Sequence, residues 1–182
     1  MSRKYKFHNQ EGYYFVSFAT VYWIDVFVRE EYCIKIIESL DYCRKNKGME
    51  IYSWCIMPSH IHLIIRAKEN NPAMVLGKFK EFTSKQLHQA VKENPQESRK
   101  EWMLWMFKRA AEKSSNVEQN QFWQHHNQPI EIWSAEVTRQ KLDYIHKNPV
   151  VAGFVTKPED WKYSSAIDYA GGKGLLEMDF LF

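Results

Sequence analysis

The sequence predicts an α+β protein in which helices pack on the faces of a sheet made mostly of hairpins. Segments with the two-residue period of a strand alternate with helical segments, in the order strand, helix, strand, strand, helix, helix, strand, helix. Hairpins with helices between them favour an antiparallel or mixed sheet. The 182 residues are 45% apolar and 15% aromatic. This composition suits one globular domain with a sizeable core and excludes a disordered chain.

The first half of the chain is predicted to form a strand, a helix and a hairpin. Residues 12–21 alternate well enough to be a strand, and residues 30–46 carry apolar side chains at helical spacing. Residues 50–67 are rich in Ile, Tyr and Trp, which suit a pleated, half-buried surface. The run Met-Pro-Ser at 57–59 interrupts this segment, so we expect two strands joined by a tight turn.

Two helices and a short strand are predicted next. Residues 73–93 form a long helix whose apolar side would face the sheet, and residues 99–112 form a second helix. A polar loop at 114–121 separates this helix from a strand at 128–133. The apolar positions assigned to the first helix are Met74, Val75, Phe79, Phe82 and Leu87, and those assigned to the second are Trp102, Trp105, Met106 and Ala110.

The last predicted helix begins after Ser134 and ends near Asn148. Ser is a favourable N-cap, and the charge of Glu136 in the first turn suits the helix dipole. Pro149 disfavours helical geometry at the residue before it. Tyr144 and Asn148 are four residues apart, so they share one face near the predicted end of the helix.

The net charge is only +3, which does not by itself indicate nucleic-acid binding. Lys and Arg nevertheless concentrate in three predicted helices, where they could line a phosphate groove or a solvated helix face. These basic residues are Lys78, Lys80, Lys85, Arg99, Lys100, Lys108, Arg109, Lys113, Arg139, Lys141 and Lys147.

Cysteine usage and hydropathy predict the compartment. Three cysteines without C-x-x-C spacing argue against a disulfide framework and against a structural zinc site. No stretch approaches the roughly 20 apolar residues of a membrane span. The first ten residues contain no apolar signal core. We therefore expect a cytoplasmic protein with no membrane partner.

His60 and His62 are candidate metal ligands. Alternate residues of a strand point to the same face, so the two imidazoles would lie side by side and could reach one cation. Two histidines on a strand are also common as exposed or hydrogen-bonded side chains. The pair alone therefore leaves both interpretations open.

Tyr144 is a candidate nucleophile. Beside Ile145 it could equally be a core aromatic, with Asn148 a plain helix terminator. A phenol, with a pKa of about 10, is a weak nucleophile near neutral pH. It becomes useful where a nearby cation polarises the group that it attacks. The catalytic role therefore requires this helix to lie across the strand that carries His60 and His62.

Four runs of this chain resemble the single-tyrosine HUH transposases, and most closely their REP-associated branch. The runs are YSWCIMPSHIHLII, FWQHHNQPIEIWS, YIHKNPVVAGFV and WKYSSAIDYAG, which follow the family's order over residues 50–171. The resemblance implies the HUH fold, a ferredoxin-like antiparallel sheet with helices on its faces and the two histidines on a central strand. It implies one such domain over residues 1–182, with 161–182 as a C-terminal tail.

The resemblance also implies roles for four side chains. His60 and His62 would bind a divalent cation, Mg²⁺ or Mn²⁺, and Asn148 would be its third ligand. Tyr144 would attack a phosphate of single-stranded or hairpin DNA, leaving a 5′-phosphotyrosine and a free 3′ hydroxyl on the other fragment. The enzyme would then be a transposase or endonuclease that cleaves and rejoins DNA.

Several alternatives stay open. The protein could be a regulator that holds DNA hairpins without cutting them, or a metal phosphodiesterase that uses water and leaves Tyr144 structural. A homodimer and a monomer are both compatible with the resemblance.

Two positions depart from the family's common pattern, Ser59 in place of Asn and Val151 in place of Arg, and neither touches the expected chemistry.

Further side chains could contact DNA. His125 and His126 could touch the site or merely cap a loop. The tail ends in LLEMDFLF, which is too apolar to remain in water, so we expect it to pack on the body of the protein or on a partner chain. The aromatic residues that could stack on unpaired bases are Trp123, Trp133 and Tyr163.

Overall fold

The computed structural model describes residues 6–69, 71–114 and 119–181. A four-stranded antiparallel sheet lies at its centre, formed by strands β1 to β4 in the order β2-β3-β1-β4. This is the strand order of a ferredoxin-like sheet, with β1 and β3 in the interior, so the predicted α+β fold is confirmed. The strands are β1 (Tyr13–Ala19), β2 (Met49–Ile56), β3 (His60–Ala67) and β4 (Ile130–Ile132).

The helices follow the predicted order. The boundaries of the first helix are exactly those expected, and the second and third differ by a single residue at the N-terminus. The helices are α1 (Glu30–Asn46), α2 (Pro72–Glu93), α3 (Lys100–Glu112), α4 (Ala135–Val151) and the short α5 (Ala166–Tyr169). No helix within the described residues is long and apolar enough to cross a membrane.

The two faces of the sheet bury different side chains. One face, which includes Phe18 and Leu63, joins α1 and α2 in the main hydrophobic core. The other face, which includes Phe15 and Ile64, joins Ile145 of α4 in a smaller cluster. Strand residues alternate between the two cores, as the pleat of a sheet requires. Helix α4 therefore covers the face to which His60 and His62 belong.

Two predicted apolar stripes were partly wrong. In α2, Val75, Phe79 and Leu87 are buried as expected, but Met74 and Phe82 are about half exposed. These two side chains line a cavity of about 710 Å³ between α1 and α2. Across both helices, four residues predicted to face the core are exposed: Met74, Phe82, Trp102 and Trp105.

In α3 the buried side is offset from the predicted one. Met103 and Phe107 are fully buried, whereas Trp102 and Trp105 are 49% and 51% exposed. Six consecutive residues from 102 to 107 are large and apolar, so periodicity does not identify which side of the helix faces the core.

Helix α4 begins as predicted but ends later. The Ser134 hydroxyl accepts a hydrogen bond from the Val137 N–H at 3.2 Å, which confirms the N-cap. The helix continues through Pro149 to Val151, so the predicted end at Asn148 was wrong. A proline in the last turn removes only one intrahelical hydrogen bond, and its ring is buried. Gly153, with φ of 78°, closes the helix in the left-handed conformation.

The C-terminal tail packs along β2. The Ile56 N–H donates to the Tyr163 carbonyl and the Asp179 N–H to the Ile51 carbonyl, each at 2.9 Å. Leu176 is only 3% exposed and belongs to the main core. The expected packing of the tail on the body of the protein is therefore confirmed only in part, because Leu175 and Phe180 are 44% and 56% exposed.

The strand predicted at 128–133 is shorter than expected, but the chain before it also follows β1. The Gln124 N–H donates to the Ala19 carbonyl at 2.9 Å, and the Ser17 N–H to the Asn127 carbonyl at 3.0 Å. The predicted polar loop at 114–121 lies partly outside the described residues.

Candidate active site

Strand β3 places the two histidines side by side. The ring centroids of His60 and His62 lie 4.7 Å apart at an interplanar angle of 75°. Their partners in the neighbouring strands have small side chains, with Ala19 opposite His60 and both Ser17 and Cys55 opposite His62. Small neighbours leave the space above the two rings to α4 and to a ligand.

Burial keeps both imidazoles neutral near pH 7. His62 is only 3% exposed, and burial lowers its pKa to about 3, helped by the proximity of His60. Burial also lowers the pKa of His60, opposed by a hydrogen bond with Asn148. A neutral imidazole has a free lone pair, which is the form that binds a metal.

Two side chains anchor α4 to this face of the sheet. Ile145 is fully buried in the smaller core beneath the helix. The His146 Nε2 atom lies 2.9 Å from the Ser165 hydroxyl and 3.2 Å from the Ser53 hydroxyl. With Ile145 and His146 fixed in this way, Tyr144 and Asn148 occupy the side of the helix next to β3.

Tyr144 and Asn148 both reach His62. The ring centroid of Tyr144 lies 5.2 Å from that of His62, and the Asn148 Nδ2 atom lies 3.3 Å from the His62 Nε2 atom. Tyr144 is 50% exposed, so this side chain is open to a substrate. The structure therefore brings together, within one chain, all four residues singled out in the sequence.

Phe15 and Lys141 complete the surroundings of the site. The Phe15 ring stacks on His62 at 5.7 Å and lies 5.8 Å from Tyr144. The Lys141 ammonium lies 5.0 Å from the Phe15 ring, so it brings a positive charge next to the tyrosine. Sequence analysis gave Phe15 no role, although its place on the alternation of β1 with Ser17 predicts that it shares the face of the histidines.

The donor set fits a divalent cation. The Nε2 atom of His62 faces the Asn148 amide and the neutral ring of His60 lies beside it, so the lone pairs needed to bind a cation are present. No group of three or more His, Cys, Asp or Glu side chains able to hold a metal occurs in the described parts of the chain. A three-ligand site here would therefore be made by His60, His62 and the amide of Asn148, whose oxygen suits Mg²⁺ and Mn²⁺.

The remaining candidates lie elsewhere. Trp123 is 5% exposed and its indole N–H donates to the Thr83 hydroxyl at 3.0 Å, so the expectation that it stacks on DNA bases was wrong. Trp133 is 79% exposed but follows β4 at the far end of β1. The exposed His125 has its Nε2 atom 2.9 Å from the Ser114 hydroxyl.

Several basic residues are committed to internal contacts. The Lys80 ammonium donates to the Gln124 carbonyl at 2.9 Å, and burial lowers its pKa to about 8. Arg99 forms an ion pair with Glu97 at 3.0 Å. These two cations therefore contribute to the fold, whereas Lys141 points to the candidate site.

Comparisons with known proteins relate this arrangement to a family. The sequence profile of the family described as "Transposase IS200 like" matches residues 9–121. That stretch runs from β1 to α3, so it contains His60 and His62 but ends before α4.

Two curated relatives are similar in sequence. A REP-associated tyrosine transposase of Haemophilus influenzae is 33% identical over 118 residues, which cover 64% of this chain and 58% of the relative. The REP-associated tyrosine transposase of Escherichia coli K12 is 26% identical over 122 residues, covering 67% of this chain and 57% of the relative. The chain thus spans less than three fifths of the length of either relative.

One solved structure shares the whole fold. It is that of a REP-associated tyrosine transposase bound to a REP hairpin, which matches 100% of this chain and 92% of its own with a TM-score of 0.62 and 20% identity. The profile match covers more than half of the residues. This chain is therefore a member of the IS200-like transposase family, with REP-associated tyrosine transposases among its relatives.

Proposed function

We propose that this protein cleaves and rejoins single-stranded DNA through a covalent bond to Tyr144. The observation that supports this most strongly is the position of α4, which places Tyr144 and Asn148 one turn apart and both against His62. The relatives named as tyrosine transposases support it independently.

The chemistry follows from the residues present. The Tyr144 oxygen attacks the phosphorus and the bond from phosphorus to the 3′ oxygen breaks. The 5′ phosphate of one fragment stays on the tyrosine, and the 3′ oxygen of the other fragment takes up a proton and becomes a free hydroxyl. The phenolic proton passes to solvent, to which Tyr144 is open. Attack by the free 3′ hydroxyl on the phosphotyrosine reverses the step and rejoins DNA without an external energy source.

His60, His62 and Asn148 are the residues that would hold a divalent cation, Mg²⁺ or Mn²⁺. When bound there, the cation would supply positive charge to the phosphate oxygens and polarise the phosphorus for attack. Lys141 adds a second positive charge beside Tyr144. Phe15 stacks on His62 and so keeps the imidazole in its position.

The substrate we propose is a DNA hairpin with a single-stranded segment at its foot. The structural relative is bound to a REP hairpin, and a tyrosine open to solvent can receive a flexible strand. The candidate site is formed from one chain, which supports a monomer that acts on its own. The three free, buried cysteines of the described chain suit the reducing cytoplasm, where such a protein would meet DNA.

A denaturing gel distinguishes this function from its alternatives. The protein is incubated with an end-labelled, hairpin-bearing single strand and Mn²⁺, with the Tyr144→Phe variant alongside. We expect a covalent protein–DNA adduct that the variant lacks. Cleavage without an adduct in either protein would indicate a phosphodiesterase that uses water. Uncleaved DNA that the protein nevertheless shifts on a parallel native gel would indicate a binding regulator.

A further inference from the structure

An exposed aromatic surface begins at His60 and leads away from the site. Trp23 is 59% exposed, and its ring meets that of His60 edge-on at 5.5 Å. Beside it, Tyr22 is 43% exposed, and the ammonium of Lys113 lies 5.9 Å from the Tyr22 ring. Lys113 caps the C-terminus of α3, so this contact joins the site to that helix.

The outward side of α3 continues the surface. Trp105 is 51% exposed and the Arg109 guanidinium lies 5.0 Å from its ring. Trp102 and Trp105 are three residues apart, and Arg109 and Lys113 follow at intervals of four, so all four share one side of the helix. The aromatic strip is the set Trp23, Tyr22, Lys113, Arg109, Trp105 and Trp102.

The backbone is strained where the strip meets the site. Tyr22 and Trp23 have φ of 54° and 56°, a left-handed conformation that is unfavourable for bulky side chains. Thr20 holds this turn in place, because its carbonyl accepts from the Trp23 N–H at 3.1 Å and its own N–H donates to the Ser59 carbonyl at 2.9 Å. Ser59 precedes His60, so the strained turn is tied directly to the first histidine. Strain retained in an exposed aromatic turn is typical of functional positions.

Two cations of the strip have no acidic partner among the described residues. Across the described residues, neither Arg109 nor Lys113 has a carboxylate within 4 Å, in contrast to Arg29, which pairs with Glu97. Exposed rings interleaved with cations are complementary to unpaired bases joined by phosphates. The bases of a duplex are already stacked on one another, so they are not available to stack on these rings.

We propose that the aromatic strip binds the single-stranded DNA adjacent to the scissile phosphate, with Trp23 stacking on the base nearest His60. This inference rests on the proposed function, since it places the reacting strand over the two histidines. In this proposal Trp23 positions the substrate, and the exposed side of α3 binds the DNA that continues beyond Trp23.

Binding of a fluorescein-labelled 20-mer of thymidine to the full chain, measured by anisotropy in a chelating buffer, tests the strip without cleavage. Trp23→Ala and Trp105→Ala should each raise the Kd about tenfold, and Trp23→Phe should restore most of the affinity. Trp133→Ala is the matched control. Ile132 pairs with Tyr13 and His60 with Ala19, so Trp133 lies about 20 Å from the site along β1.

Trp23→Gly separates binding from folding. Glycine adopts the left-handed conformation without strain, so this variant should keep the wild-type Tm while losing the same affinity as Trp23→Ala. A matching duplex should show no dependence on either tryptophan.

Three results would each overturn the proposal that the strip binds single-stranded DNA. They are an unchanged affinity for oligothymidine in both alanine variants, no binding by the wild type, and an equal loss of affinity for duplex DNA. The gel assay of adduct formation gives an independent result. If the variants bind DNA more weakly but the wild type forms no adduct, the strip is supported as a DNA-binding surface and the proposed tyrosine chemistry is rejected. An adduct in the wild type with unchanged binding in every variant rejects the strip alone.

Discussion

At the scale of single residues, His62 is under the strongest constraint in the site. Its ring is almost fully buried between Phe15, Tyr144 and His60, and one of its nitrogen atoms has no hydrogen-bond partner. An unsatisfied buried polar atom costs about 1–3 kcal/mol of folding stability. Retention of a buried polar ring at this cost is typical of a functional position, and its other nitrogen, Nε2, is the one that faces Asn148.

Asn148 offers the sharpest test of the cation site. Replacing its amide with a carboxylate, Asn148→Asp, should tighten Mn²⁺ binding several-fold, because hard cations favour charged oxygen ligands. The apolar Asn148→Leu should weaken binding at least about tenfold, since it removes one of three ligands. Both affinities follow from titration of free Mn²⁺ by electron paramagnetic resonance. Equal Mn²⁺ affinity in the two variants and the wild type would exclude Asn148 as a ligand.

At the scale of elements, the docking of α4 decides whether the site exists. Ile145→Ala should lower the free energy of unfolding by about 2–5 kcal/mol, because a fully buried isoleucine is lost from the smaller core. The matched control is Ile36→Ala, since Ile36 is equally buried but lies in the main core on the other face of the sheet.

Under conditions where both alanine variants remain folded, adduct formation should fall much further in Ile145→Ala than in Ile36→Ala, because only the former loosens the helix that carries Tyr144. Stability is measured by urea denaturation and activity by the gel assay. An equal fall in both variants would mean that α4 docking has no special role in the chemistry.

The second anchor of α4 should make stability depend on pH. Burial lowers the pKa of His146 to about 4, below the value of about 6.5 in an unfolded chain. As the pH falls, the unfolded state takes up the proton first, so the contribution of neutral His146 is complete above pH 6.5 and is lost between pH 6.5 and 4. The expected slope is about 1.4 kcal/mol per pH unit.

His146→Gln, which keeps a hydrogen-bonding side chain, isolates this effect. The difference in free energy of unfolding between the wild type and this variant should shrink by up to about 3 kcal/mol between pH 7 and pH 4. Urea denaturation in metal-free buffers at intervals of one pH unit provides the measurement. Parallel curves for the two proteins over that range would contradict the buried, neutral state of His146.

The elements also show where sequence patterns suffice and where they fail. Helix α1 has regular polar positions between its apolar ones, and its boundaries were predicted exactly. Helix α3 has large apolar side chains at every position from 102 to 107, so its buried side became evident only from its packing. The predicted end of α4 was wrong because the burial of Pro149, a tertiary effect, outweighs the local tendency of proline to end a helix.

At the scale of the whole molecule, the site depends on pairing between distant segments. The strand order β2-β3-β1-β4 places β3 in the interior and leaves α4 to cover the face that carries the histidines. Sequence spacing indicated that His60 and His62 share a face and that Tyr144 and Asn148 share another. The meeting of the two pairs depends on sheet order and helix docking, which local patterns do not determine. The strained turn at Tyr22 and Trp23 had no sequence signal at all.

Because the four candidate residues meet within one chain, catalysis should occur in cis. A mixture of the His60→Ala, His62→Ala double variant with Tyr144→Phe should form no adduct, since neither chain holds a complete site. The mixture is assayed on the gel after joint refolding, which allows subunits to exchange. Restoration of a quarter or more of the wild-type adduct would show that two chains share their sites.

The most direct test of the central claim is to identify the amino acid that becomes attached to DNA. After reaction with a hairpin-bearing single strand and Mn²⁺, the adduct is digested with protease and nuclease, and the modified peptide is sequenced by mass spectrometry. We predict a nucleotide 5′-phosphate on Tyr144 and on no other residue. A modification at a different tyrosine, or complete cleavage with every tyrosine unmodified, would contradict the convergence of Tyr144 on His60 and His62 as the basis of function.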